Sequence, residues 1–191
     1  ILSLSASQSD NKPLPEEAYS TPYMFKQQMK SGERSCAPNY YNDLAGCMNK
    51  NSYLNAFFQE FWTGIYHDHK WAWEFSDMES FWNHNDEFYW KYEEHWITDY
   101  AAANPDEDFA EAFMTFVLKE KPYAPTFAEQ KILFFYQYPE LVEMQDFIRT
   151  GILSSSFCNE YGVSIGEVWK DGKCQLGGPL TSMLTVSSGE K

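Results

Sequence analysis

The sequence predicts a mainly α-helical protein, and three observations carry that expectation. Apolar residues recur at helical spacing in four segments, 52–66, 105–119, 126–137 and 139–150. Helix-start signals stand directly before two of them, at Asn104 and Thr126. Short β-like runs stand in the Ser/Gly-rich last forty residues, and little sheet is expected in the helical portion.

Taken in order, residues 1–35 form a polar, Pro-containing lead-in with one short helix expected around Ala18–Met29. A loop bounded by Cys36 and Cys47 follows. In "SYLNAFFQEFWTGIY", Leu54, Phe57, Phe58, Phe61, Trp62 and Ile65 fall on one side of a helix with a wide apolar face. Residues 67–96 mix Trp, His, Asp and Glu without a clean period and read as a partly helical insertion. Asn104, Pro105 and Glu107 then supply an N-cap, a proline at the first helical position and an acid at N3, and Thr126 with Glu129 repeats the capping pattern. The helix from Thr126 is expected to stop near Pro139, and "PELVEMQDFIRTG" to form another ending at Gly151. The domain reading is a helical unit over 1–155 and a disulfide-closed loop, small hairpin and irregular tail over 156–191.

Composition bounds the partners. With 191 residues the chain can bury a real core, and 15 Phe, 13 Tyr and 7 Trp assign the net charge of −14 to the surface of a folded protein rather than to a disordered acidic chain. Phosphate would repel such a chain and no Lys/Arg cluster reverses this locally, so nucleic acid is excluded as an expected partner. No apolar run reaches the roughly 20 residues of a membrane span. The cysteines fall into two close pairs without CxxC spacing, which suits two local disulfides, Cys36–Cys47 and Cys158–Cys174, in an extracellular or cell-surface-anchored protein; four reduced core cysteines are the other reading.

The segment "DYAAANPDEDFAEAF" concentrates the chemistry. Glu107 and Glu111 are four residues apart and share a helix face, whereas Asp106 and Asp108 point elsewhere. Two like charges so placed repel beside residues that must be buried, so a compensating group is expected. Either Glu107 merely caps its helix while Glu111 is solvated, or a metal cation is bound there.

The same residues resemble the third-ligand helix of gluzincin zinc peptidases, in particular a group of secreted bacterial zinc metallopeptidases, with a related Glu-x-x-Ala-Glu-Ala-Phe pattern in lethal-factor-like peptidases. "CAPNYYNDLAGCMNKNSYLNAFFQEFW" and "KILFFYQYPELVEMQDFIR" resemble flanking segments of that group, so the likeness covers residues 36–150. The resemblance implies the C-terminal helical portion of a zincin-like domain that hydrolyses peptide bonds in a peptide or protein substrate. It implies zinc as cofactor, Glu107 as a metal ligand, Glu111 as the acid that orients a ligand histidine, and Tyr100 as the donor to the developing oxyanion.

One departure stands against it: the HExxH motif occurs nowhere in the chain, whose histidines are His67, His69, His84 and His95. "ILSLSASQSD" resembles the sequence that follows HExxH in such proteins, so the expectation is an N-terminal segment before Ile1 that carries the motif. The competing reading is a degenerate relative, in which His67 and His69 substitute as ligands, or in which the chain is a secreted binding module whose Trp71, Trp73, Trp82 and Trp90 stack on sugar rings or seat a protein. A glycosidase is disfavoured, because acids four apart on one helix do not readily flank a glycosidic bond.

Overall fold

A computed structural model describes residues 9–69, 74–75, 77–154, 169–170 and 173–174. Six α-helices dominate it: α1 Pro22–Cys36, α2 Tyr53–Phe61, α3 Met78–Lys91, α4 Pro105–Leu118, α5 Phe127–Phe135 and α6 Pro139–Ser154. The strands are two-residue antiparallel pairs, β1 Tyr41–Asn42 with β2 Gly46–Cys47 and β3 Trp169–Lys170 with β4 Lys173–Cys174. The chain divides into two compact units, Ile1–Ala110 and Glu111–Lys191, and α4 runs through the division. The boundary read from the sequence at 155/156, and Cys158, lie outside the described residues.

Local chemistry explains where helices start. The lead-in helix expected at 18–29 is two elements, a 3-10 turn over Glu16–Ser20 and α1 from Pro22. Pro22 pushes Thr21 into extended backbone, and the Thr21 hydroxyl then accepts from Met24 N–H, so the first element ends and the second begins. Ser52 and Asp77 cap α2 and α3 in the same way, and Thr126 with Glu129 closes a full capping box on α5. The expected helix over 52–66 is α-helical only to Phe61. Successive turns continue it, with Tyr66 N–H donating to Trp62 O at 2.8 Å, and so keep Ile65 in the core.

In the first unit, the apolar face of α2 is buried as its spacing predicts, and Trp62 is completely enclosed. Its ring lies 5.4 Å from Trp96 and 6.1 Å from Phe88, while Phe57 meets Phe109 edge-on at 5.3 Å. Each buried large apolar side chain contributes about 1.5–3 kcal/mol, so this cluster stabilises the unit substantially. The Cys36–Cys47 disulfide joins the end of α1 to β2, as its spacing predicts. Between β1 and β2, Gly46 has φ +83, and a Cβ there would sit 2.6 Å from Lys12 O, so the turn requires glycine.

In the second unit, Phe116 packs on Phe135 at 5.4 Å and on Tyr136 at 4.8 Å. The carbonyls at the C-terminus of α4 and just past it, which have no partner within the helix, are taken up by α6: Arg149 Nε donates to Val117 O at 2.6 Å, Arg149 Nη2 donates to Phe116 O and Lys119 O, and Gln145 donates to Phe116 O.

Candidate functional site

The N-terminal turn of α4 is built from the residues singled out in the sequence. Asn104 is extended, and its side-chain oxygen accepts from Glu107 N–H at 2.9 Å, so the predicted cap forms. Pro105 is buried at the first helical position. Glu107 and Glu111 follow one turn apart, both partly buried, Glu107 in the first unit and Glu111 in the second. Tyr100 lies on a separate 3-10 turn, Tyr100–Ala103, and is 53% exposed. Asp99 caps that turn by accepting from Tyr100 N–H at 2.9 Å.

The spacing rule assigned no role to the two aspartates, yet they are the acids turned toward the core. Asp108 is fully buried and accepts from the Trp62 indole N–H at 2.7 Å. Asp106 accepts from the Tyr40 hydroxyl at 2.5 Å and from Asn42 Nδ2 at 3.0 Å. Burial raises the Asp106 carboxyl above its ordinary range, against the lowering effect of those two donors. Tyr40, itself buried and facing that acid, is pushed well above the usual phenol value. A pattern of 3.6 residues per turn places Asp108 beside Phe109, and the indole N–H that meets its carboxylate comes from 46 residues earlier.

Among the described residues, His67 and His69 join no group of three metal-binding side chains. His69 is buried, stacks on Tyr66 at 5.7 Å, and its Nε2–H donates to Ala103 O at 2.8 Å. Burial lowers its pKa to about 4. His67 is exposed, 3.4 Å from the Asp68 carboxylate. Both rings border a cleft of about 230 Å³ with Glu33 and Glu74, but among the described residues no three His, Cys, Asp or Glu groups converge to hold a metal. Zinc sites draw on three or four protein donors, more than the described residues gather around Glu107, so they do not by themselves complete such a site.

A second concave feature, in the first unit, was only half legible. Trp82 and Trp90, two of the four tryptophans of the binding-module reading, line one groove of about 420 Å³ together with Asn85, Asp86, Tyr89, Asp99, Tyr100 and Ala103. Trp71 and Trp73 lie outside the described residues. Compared with known proteins, the chain matches no family model, no curated protein and no solved structure.

Proposed function

We propose that the chain is the third-ligand portion of a secreted zinc-dependent peptidase, with Glu107 as the zinc ligand it contributes and two histidines supplied from outside these 191 residues. What supports the reading is the division of acids on α4. Donors of the first unit hold Asp106 and Asp108, and Glu107 and Glu111, each keeping part of its surface in solvent, follow one turn apart on the same helix. The chemistry zinc supplies when bound is polarisation of a carbonyl and acidification of water. Glu107 would hold the ion from a helix start fixed by Asn104, and Glu111 would accept the second N–H of a ligand imidazole and so orient it. The Tyr100 hydroxyl would donate to the carbonyl oxygen as negative charge builds there, a contact worth most in the transition state.

The test is metal content and peptidase activity of three variants in a protein that includes the histidine-bearing segment. Glu107→Ala loses zinc and activity together. Glu111→Ala weakens metal affinity about 10–100-fold. Tyr100→Phe keeps stoichiometric zinc and lowers kcat by about 100-fold or more. Retention of stoichiometric zinc by Glu107→Ala refutes the reading.

The groove of exposed aromatics favours a second reading, a secreted module that binds its ligand without cleaving it. It takes the place of the first if the complete protein binds no metal.

A further inference from the structure

The groove between α3 and the Tyr100–Ala103 turn has a lining that selects a ligand class. Trp82 is 51% exposed and Trp90 65% exposed, although large aromatic rings are strongly favoured in the interior. Both stand on α3 with Tyr89, and Tyr100 faces the same space from the turn. Four aromatic side chains thus border one cleft, and three of them leave half or more of their surface in solvent.

Charge decides between the ligands that such rings accept. Asp86 and Asp99 also line the groove, and among the described residues no lysine or arginine does. The nearby Lys91 is drawn to Asp68, with Nζ 2.6 Å from its carboxylate, and the ion pairs among the described residues include neither Asp86 nor Asp99. Aromatic faces carry negative charge at their centre and attract cations, and two carboxylates on the same wall add to that field. A planar guanidinium satisfies both, because it stacks on indole and presents a fork of N–H donors to carboxylates. We infer that this groove binds the arginine or lysine side chain of a basic peptide segment.

The inference does not depend on zinc. If the chain is part of a peptidase, the cation lies beside Tyr100 and selects substrates; if it is a binding module, the same contact is the recognition itself. The two questions are separated by measuring binding with the 191-residue chain in the presence of a chelator. Failure there leaves the zinc reading untouched, and failure of Glu107 as a ligand leaves this one untouched.

The experiment is titration calorimetry with two blocked peptides, acetyl-Gly-Arg-Gly-amide and the same peptide with citrulline, which keeps the shape and removes the charge. Saturable binding of the arginine peptide, at least about tenfold tighter than the citrulline peptide and weakening as salt rises, is the expected result. Trp90→Ala should weaken it about tenfold, Asp86→Asn several-fold, and Trp90→Phe, which keeps a ring, less than Trp90→Ala. Trp90 is exposed enough that its removal should leave the far-UV circular dichroism unchanged. Equal affinity for the two peptides, no saturable binding of either, an unaltered Trp90→Ala, or binding of a neutral oligosaccharide in place of the arginine peptide overturns the inference.

Discussion

Helix α4 carries two pairs of acids within two turns, and the structure treats them oppositely. Asp106 and Asp108 have short side chains that meet donors already fixed in the core: the Tyr40 hydroxyl, the Asn42 amide and the Trp62 indole. Glu107 and Glu111, like Asp106, keep part of their surface in solvent, and Asp108 alone of the four is fully buried. The difference teaches that acid density alone says little about function. A buried carboxylate is tolerated where donors meet it, and truncating one member of such a set is costly because the other is left buried and unsatisfied.

The largest expected effect breaks the inner pair. Asp108→Ala removes the acceptor of a fully buried indole N–H and leaves a cavity, and should cost about 3–5 kcal/mol in urea unfolding. Glu107→Gln, on the accessible face, should change stability by less than about 1 kcal/mol. Similar losses at both positions would erase the distinction.

A pH experiment sharpens the comparison within the first unit. His69 is neutral and buried, with a pKa lowered to about 4 from 6.5, so the unfolded chain takes up a proton before the folded one does. Its contribution is therefore fully present above pH 6.5, is lost as pH falls, and levels off below about pH 4, amounting to about 3 kcal/mol at the limit. Asp106 and Asp43 work the other way: their folded carboxyls are raised, chiefly by burial, so lowering the pH protonates the folded state first and adds stability. Subtracting the profile of His69→Gln from that of the parent isolates the histidine. A difference that does not change between pH 7 and pH 5 would contradict the assignment.

A smaller effect concerns the other end of α4. Arg149→Met keeps the apolar stem but strips donors from the carbonyls of Phe116, Val117 and Lys119, and should cost about 2 kcal/mol, with faster amide exchange in the last turn of the helix. Unchanged exchange there would mean that water replaces the guanidinium without loss.

Much of the fold was legible because its signals are local. Asn104 and Thr126 cap helices from within three residues, and Cys36 and Cys47 bond across a short loop. The aromatic face of α2 follows from spacing alone. The site was less legible because its partners are distant in sequence. Tyr40 reaches Asp106 across 66 residues, and no periodicity encodes which of four neighbouring acids will meet a donor. Helix α3 resisted reading for a related reason: Phe88 is its one fully buried residue, so no apolar stripe marks it, and the rings that break the pattern are those that line the groove. Lys131, completely buried on α5, likewise carried no sequence signal.

The central claim, that α4 separates structural aspartates from a functional glutamate, is tested most directly by zinc stoichiometry in a protein that includes the histidine-bearing segment, measured by elemental analysis on Glu107→Ala beside the parent. The account predicts about one zinc per parent chain and near zero in Glu107→Ala, with the metal-free melting temperatures of the two agreeing within a few degrees. Full zinc occupancy in Glu107→Ala, or loss of zinc only because that variant no longer folds, would contradict it.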